Sequence, residues 1–205
     1  MKYVAITPDH CNNLSIHPKP DLLIIRDTSL NKKELAYLAT QIEQNIYIDK
    51  TTYLILHTNG HVQDYLSGEV HYNKYCLVSG GGVQGFHLNS KDLLNTTKKD
   101  MDLLINSKYL HFNDSKPKFL VGASCHNEKE LDHATELELD YCLLSPIYSK
   151  YDNVPSLGWE KFQMLVSKIP LPVFALGGLS FDDEEDARKH NAAGIAGIRM
   201  FNQSS

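Results

Sequence analysis

The sequence of 205 residues has no long hydrophobic run, since none approaches the roughly 20 apolar residues that a membrane-spanning helix needs. It also lacks the apolar stretch and small-residue cleavage site of a signal peptide, because Met1 to Thr7 has the pattern of a β-strand that begins at once. We therefore exclude a membrane protein and expect a cytoplasmic one.

Closely spaced cysteines and basic clusters are also absent. Cys11, Cys76, Cys125 and Cys142 are widely scattered and show no CxxC spacing, which argues against a disulfide framework and a zinc ribbon. The net charge is -5 and no Lys/Arg-rich run is present, so nucleic acid is not an expected partner. The composition, 42% hydrophobic and 22% charged, is that of an ordinary globular protein, and the length predicts one domain over residues 1–205.

Short apolar runs alternate with segments that are compatible with helices. The runs Leu22–Ile25 and Tyr141–Leu144 do not alternate apolar and polar residues, which is typical of parallel strands buried on both faces. The sequence predicts eight strands, at 3–7, 21–26, 53–57, 83–88, 119–124, 140–145, 172–176 and 194–199. Apolar stripes at three- and four-residue steps predict amphipathic helices at 31–44, 127–139 and 158–169.

The ends of these helices carry capping signals. Asn31 and Asn127 are predicted N-caps with a glutamate three residues on, and Asp182 and Asp183 favour a helix start after the seventh strand. Eight βα units predict an α/β fold, a single (βα)8 TIM barrel with eight parallel strands, and a doubly wound open sheet is the alternative. We interpret Gly60–Gly82 as a surface insertion rather than a lid.

In such a barrel the chemistry lies at the carboxyl ends of the strands, so polar residues that end apolar runs are the candidate site residues. They are Arg26, His57, His87 with Asp92, Ser124 with His126, Ser145, Gly177 with Gly178, and Arg199. Gly177 and Gly178 join a strand to a helix, and this predicts a turn whose N–H groups bind phosphate, although a tight turn needs glycine without any ligand.

Two other roles for residues at the strand ends are less favoured by the sequence. His57, His87 and His126 end three strands and are the residue type of a three-imidazole metal site, but nothing in their spacing requires them to converge. Cys125 adjoins His126, yet adjacent strand residues point to opposite faces, so a Cys-His nucleophile pair is disfavoured. We expect Cys125 to pack outside the barrel.

Several motifs together resemble one family. Gly85–Leu88 with Asp92 is similar to GVHLxxxD, Val121–His126 to GxSxH, and Ala175–Leu179 to AIGGI, while Arg26 matches an arginine that ends the second strand. With these residues the chain resembles the thiamine-phosphate synthase/TenI superfamily over nearly its whole length. Segments 145–147, 157–162 and 195–199 are most similar to a subgroup found fused to Nudix hydrolase domains, although the sequence contains no Nudix domain.

The resemblance implies a diphosphate and Mg²⁺ site in a synthase, which joins a hydroxymethylpyrimidine diphosphate to a thiazole phosphate. Arg26 and Asp92 match this machinery, with Asp92 as a Mg²⁺ ligand only if the chain is synthase-like. The sequence departs from the family pattern at four places. It has Ile24 where the family has a glutamine, Thr28 where it has a lysine, His57-Thr58 where it has Asn-Asp, and Asn153 where it has a loop lysine. Because one lost electrostatic group can cost about 10²- to 10³-fold, efficient synthase activity is not expected.

TenI-type members instead tautomerise a thiazole carboxylate phosphate, a proton transfer that requires no cofactor. The resemblance implies His126 as the acid/base and Ser124 as a substrate-orienting residue, since an imidazole ordinarily titrates near pH 6.5. The structural alternatives are a histidine bound to neighbouring backbone and a serine that caps the strand. The remaining assignments are substrate binding by Arg26, His57, His87 and Ser145, and phosphate binding by Gly177, Gly178 and Arg199.

The sequence therefore favours a TenI-like tautomerase whose ligand is a phosphorylated thiazole or thiamine phosphate. The alternatives are a synthase with an altered, Mg²⁺-dependent diphosphate site and a non-catalytic binder of thiamine phosphate. A homodimer is compatible with the sequence. Arg199 is expected either to pair with the phosphate or to block its site, because only six residues follow it to form an eighth helix.

Overall fold

In the computed structural model, residues 1–10, 16–45, 52–60, 83–105 and 119–201 are described. Eight parallel strands follow one another in chain order around a closed barrel. They are β1 (Lys2–Ile6), β2 (Leu22–Ile25), β3 (Tyr53–His57), β4 (Gly85–Leu88), β5 (Leu120–Cys125), β6 (Tyr141–Leu144), β7 (Val173–Leu176) and β8 (Gly194–Gly197). The eight predicted strands are confirmed. The open-sheet alternative is wrong, because β8 pairs with β1 from Lys2 opposite Gly194 to Ala5 opposite Gly197.

Helices surround the barrel. They are α1 (Lys32–Asn45), α2 (Ser90–Asn95), α3 (Lys98–Ile105), α4 (Glu128–Glu136), α5 (Gly158–Val166) and α6 (Glu184–Lys189), with 3₁₀ turns at Phe181–Asp183 and Arg199–Phe201. The three predicted helices are present as α1, α4 and α5. Helix α4 ends before the predicted Leu139, because Glu138 has a left-handed φ of 56° and the N–H of Leu139 turns back to the carbonyl of Ala134.

The predicted caps are confirmed, with one difference that bears on the site. Asn31 accepts the N–H of Glu34 at 3.2 Å, and the Glu34 carboxylate accepts the N–H of Asn31 at 2.9 Å, which completes a capping box. Asn127 accepts the N–H of Glu130 at 3.0 Å. The Glu130 carboxylate, however, accepts the N–H of His126 at 2.7 Å instead of that of Asn127. Glu130 therefore holds the residue that follows β5.

The hydrophobic core has two layers. The barrel interior holds Val4, Ile6, Leu22, Ile24, Ile55, Tyr141, Leu143, Phe174 and Ala196. A larger cluster between strands and helices includes Cys125 and Cys142. Cys125 thus packs outside the barrel, as predicted from the alternation of strand side chains. A hydrogen bond with Cys142, together with burial, raises the pKa of the Cys125 thiol.

Two predictions concern segments near the limits of the described residues. The proposed insertion Gly60–Gly82 lies outside them except for Gly60. After β8 the described residues form a 3₁₀ turn, Arg199–Phe201, and the prediction of a rudimentary eighth helix extends to residues outside them. No helix in the described ranges combines the length and apolarity that crossing a membrane requires.

Candidate active site

The carboxyl ends of the strands enclose a pocket of about 420 Å³, within the usual size range of small-molecule sites. Each of the eight strands contributes a residue at or just beyond its end. The lining residues are Ile6, Ile24, Arg26, Thr28, His57, Asn59, His87, Asn89, Ser90, Ser124, His126, Ser145, Leu176 and Ile198. Among these described residues, Arg26 has the only side chain with a permanent charge, and none carries a carboxylate. The pocket therefore suits an anionic ligand.

The six residues predicted to be catalytic or substrate-binding all line this pocket. They are Arg26, His57, His87, Ser124, His126 and Ser145. The predicted phosphate residues Gly177 and Arg199 are not part of the lining, but each directly follows a residue that is, Leu176 or Ile198. The fold thus brings the candidate residues of five strands, β2 to β6, into the pocket lining, while the predicted phosphate residues after β7 and β8 lie next to lining residues in the chain.

The surroundings of His126 define which of its ring nitrogens is available. Nδ1 lies 2.8 Å from the hydroxyl of Ser90 and 3.2 Å from a carboxylate oxygen of Glu130. An ionised carboxylate only accepts hydrogen bonds, and the Ser90 hydroxyl donates to the carbonyl of Ser124, so the neutral His126 ring carries its proton on Nδ1. Nε2 has no partner among the described residues. The side chain is 49% exposed and presents this nitrogen without a competing hydrogen bond.

Ser124 ends a chain of hydrogen bonds from the barrel interior. Its hydroxyl lies 2.9 Å from His87 Nε2, and His87 Nδ1 lies 3.1 Å from the hydroxyl of Tyr141. Burial, and then the nearby His57, hold the pKa of His87 well below its usual value, so His87 is neutral at physiological pH. The side chain of Ser124 therefore binds His87, and the strand-capping alternative is not what the structure shows.

His57 is a buried, neutral histidine as well. Its Nδ1 lies 2.5 Å from the side-chain oxygen of Asn59, which accepts the Nδ1–H because the Asn59 amide group donates to the carbonyl of Asp27. The ring lies 5.7 Å from that of His87. Burial lowers the pKa of His57 to about 4. The three histidines do not converge on one point, and within the described ranges no cluster of three or more histidine, cysteine or acidic side chains could hold a metal ion.

Arg26 is positioned by loops that are tied to one another. The adjacent Asp27 is buried and accepts the N–H of His10 at 2.6 Å, while its carbonyl accepts the side-chain N–H of Asn59 at 2.7 Å. Burial acts to raise the pKa of Asp27, but hydrogen bonds from Ser29 and His10 outweigh it and lower the pKa. The loops after β1, β2 and β3 thus form one wall, in which Arg26 has no ion pair with any described residue.

Asp92, the predicted Mg²⁺ ligand, is turned away from the pocket. It is buried, and one carboxylate oxygen accepts the hydroxyl of Thr58 and, at 2.9 Å, the N–H of Gly60. Mg²⁺ prefers carboxylate and phosphate oxygens in octahedral geometry, and the described pocket wall offers only hydroxyls, amides and imidazoles. The described residues therefore do not fit a protein-held Mg²⁺ ion, and Asp92 anchors the loop after β3.

The turn after β7 contains two glycines because the loop after β6 packs directly onto it. Gly177 and Gly178 have φ values of 107° and 70°. A Cβ on Gly177 would lie 2.7 Å from Pro146 Cα, and one on Gly178 would lie 2.6 Å from the Tyr148 carbonyl oxygen. The alternative raised from the sequence, that a tight turn itself requires glycine, is therefore correct. The N–H groups of both glycines have no partner in the described chain, so phosphate binding here stays a prediction.

Sequence reasoning missed several polar contributors to the site. Asn59, Asn89 and Ser90 line the pocket, and a carboxylate oxygen of Glu130 lies 3.2 Å from His126 Nδ1. The position of Ser90, two residues after the apolar run that forms β4, was a usable signal. Glu130 was read only as a helix-cap partner, although its place four residues after His126, in the first turn of a helix, also puts the two side chains within reach.

Family comparison gives a direct result. The family model described as "Thiamine monophosphate synthase" matches residues 77–201, which is more than half of the chain. The chain belongs to this family. A curated protein of Aquifex aeolicus, "Putative thiamine-phosphate synthase 2", is 34% identical over 87 residues, which cover 42% of this chain and 47% of that protein. The "Thiamine-phosphate synthase" of Pediococcus pentosaceus is 29% identical over 119 residues, covering 51% and 55%.

These alignments span about half the length of the curated relatives. Solved structures extend the likeness in fold to nearly the whole chain. A thiamine phosphate pyrophosphorylase from Pyrococcus furiosus superimposes with a TM-score of 0.67 at 16% identity, covering 96% of this chain and 85% of that one. N-(5'-phosphoribosyl)anthranilate isomerase from Pyrococcus furiosus gives 0.57 at 14% identity, covering 99% and 90%. The subgroup fused to Nudix domains stays a prediction.

Proposed function

We propose that the pocket binds a phosphorylated thiazole and that His126 moves a proton on it. The charge of the pocket supports the ligand class, since Arg26 lines it and no described lining residue carries a carboxylate, although the chain as a whole has a net charge of -5. The N–H groups of Gly177 and Gly178, which have no partner among the described residues, and the side chain of Arg199, which follows the neighbouring strand β8, offer donors for the phosphate. Arg26 would pair with a second anionic group of the ligand.

The observation that carries the proposal is the pairing of His126 with Glu130 at the edge of this pocket. The carboxylate lies 3.2 Å from Nδ1, and the unpartnered Nε2 is free to take a proton from the substrate. When Nε2 takes this proton, Glu130 stabilises the resulting imidazolium of His126. His126 then returns the proton to a different atom of the substrate's thiazole ring. Such acid/base catalysis contributes about 10²- to 10⁴-fold. This is the tautomerisation of a thiazole carboxylate phosphate.

The synthase reaction is the second candidate, and the names of the curated relatives support it more directly than they support tautomerisation. In that reaction Arg26 would contact the diphosphate of the pyrimidine substrate. Mg²⁺ would then be held mainly by the diphosphate, or by Asp92 after release from Thr58 and Gly60, because the described pocket wall supplies no carboxylate.

Two assays on the purified protein distinguish the reactions. One follows the thiazole carboxylate phosphate without added metal, and the other follows thiamine phosphate formed from the two synthase precursors with Mg²⁺. We expect turnover in the first, reduced about 10²- to 10⁴-fold by His126→Ala with little change in ligand affinity. His133→Ala is the matched control, because it removes a histidine on α4 that does not line the pocket.

Each other outcome contradicts the proposal in a different way. Thiamine phosphate formed at a useful rate, with no tautomerisation, would establish the synthase. Binding of the thiazole phosphate without either reaction would favour a non-catalytic binder. An activity that His126→Ala leaves unchanged would remove the proposed acid/base.

A further inference from the structure

The hydroxyl of Tyr141 takes part in a hydrogen-bond chain that the mechanism above does not use. The chain crosses three neighbouring strands, from Tyr141 on β6 to His87 on β4 and back to Ser124 on β5. The barrel register places Gly122 of β5 directly between His87 and Tyr141. A Cβ on Gly122 would overlap the Tyr141 ring, so the glycine is what allows the phenol to reach His87.

The direction of this chain follows from the burial of Tyr141. The side chain is fully buried, and His87 Nδ1 is the only hydrogen-bond partner of its hydroxyl among the described residues. If Nδ1 carried a proton, the phenol oxygen would accept it, and the phenol hydrogen would be left buried without an acceptor. If Nδ1 is unprotonated, the phenol donates and no buried donor of the chain is left without an acceptor. Since an unmade hydrogen bond from a buried donor is costly, the second arrangement is preferred.

The proton of a neutral His87 is then on Nε2, which faces Ser124 at 2.9 Å. The Ser124 oxygen accepts this N–H, and the hydrogen of its own hydroxyl has no acceptor within the described part of the chain. Ser124 is partly exposed and lines the pocket. Its hydrogen is therefore available to a bound ligand.

We propose that Tyr141 is a positioning residue which, through His87, makes Ser124 a hydrogen-bond donor toward the ligand. This part of the pocket then selects an oxygen or an unprotonated nitrogen that accepts a hydrogen bond, and it disfavours an N–H group at the same place. Nε2 of His126, which lines the same pocket, accepts a hydrogen bond where Ser124 donates one. The inference concerns the pocket itself and holds for either reaction under the proposed function.

The tautomer of His87 can be measured in the ligand-free protein by long-range ¹H–¹⁵N correlation spectra of ¹⁵N-histidine-labelled protein at pH 7.5. Loss of one set of signals in His87→Gln assigns the ring. We expect the Nε2–H tautomer. The Nδ1–H tautomer, or a doubly protonated ring, would overturn the inference. Because this measurement uses the unmodified protein and no substrate, its failure is distinct from failure of the proposed function.

Tyr141→Phe tests the role of the phenol itself, since it removes the hydroxyl and leaves the ring. Tyr53→Phe is the matched control, because Tyr53 packs against the same interior cluster and its hydroxyl has no hydrogen bond within the described residues. In Tyr141→Phe we expect a larger Nδ1–H fraction for His87 and about tenfold weaker binding of the thiazole carboxylate phosphate, with both unchanged in the control. A wild-type tautomer ratio in Tyr141→Phe would show that Tyr141 does not set the direction.

Discussion

His57 should lower the free energy of unfolding in mild acid, and the variant His57→Asn should not show this loss. The ring is buried against His87 and beside Arg26, and its pKa in the folded protein is about 4, compared with about 6.5 in an unfolded chain. Below pH 6.5 the unfolded chain binds a proton that the folded protein does not. Stability from this residue is therefore complete above pH 6.5, falls as the pH is lowered, and levels off below pH 4.

The size of the effect follows from the two pKa values. Each unit of pKa difference corresponds to about 1.4 kcal/mol, and most of the available window lies between pH 6.5 and pH 5. Between pH 7.5 and pH 5 His57 should therefore cost about 2 kcal/mol of unfolding free energy. Replacing His57 with asparagine removes the titration, while the amide NH2 occupies the position of Nδ1 and can still donate to the side-chain oxygen of Asn59.

Urea denaturation followed by circular dichroism, at several pH values between 7.5 and 5, measures the difference. The quantity of interest is the pH dependence of each protein rather than its absolute stability. The wild type should lose about 2 kcal/mol more than His57→Asn over this range, and His133→Gln, which removes a more exposed imidazole, should behave as the wild type. Parallel loss of stability in wild type and His57→Asn would refute the assignment of a buried, neutral His57.

Three further predictions follow from contacts at and around the site. Glu130→Gln should lower kcat about tenfold to a hundredfold with a small change in KM, because the imidazolium loses a charged hydrogen bond; steady-state kinetics measure this, and an unchanged kcat contradicts it. Gly158 and Gly178 have nearly equal φ values of 71° and 70°, so an alanine at either position should lower the free energy of unfolding by about 1 kcal/mol through backbone strain. Gly178→Ala should lower it by about 1–3 kcal/mol more, because only the Cβ at this position meets the Tyr148 carbonyl. Equal losses for the two variants in urea denaturation would contradict the packing argument. Cys125 should resist iodoacetamide in the native protein and react after denaturation, since burial and Cys142 raise its pKa; peptide mapping that finds rapid native labelling would be inconsistent with this.

The barrel could be predicted from the sequence because its signals are local. Unpatterned runs such as Leu22–Ile25 and Tyr141–Leu144 are typical of strands covered on both faces, and eight such units favour a barrel over an open sheet. The candidate residues at strand ends then converge by geometry, as Arg26, Ser124 and His126 do. Neither step required knowledge of side-chain contacts.

The roles within the site could not be predicted in the same way, because they depend on partners distant in sequence. Asp92 matches a family motif, yet the hydroxyl of Thr58 and the N–H of Gly60, more than 30 residues away, occupy one of its oxygens. Tyr141 looked like a core residue, and only the barrel register brings its hydroxyl to His87. Motif matching gives the residue type at a position but does not give the direction of its side chain.

The pocket at the carboxyl end of this barrel should bind a phosphorylated thiazole. Isothermal titration calorimetry with thiazole phosphate, and with the same thiazole lacking the phosphate, measures this binding. We expect a micromolar dissociation constant for the phosphorylated compound and affinity at least about tenfold lower without the phosphate. Equal affinity for the two compounds, or no binding of either, would contradict this expectation.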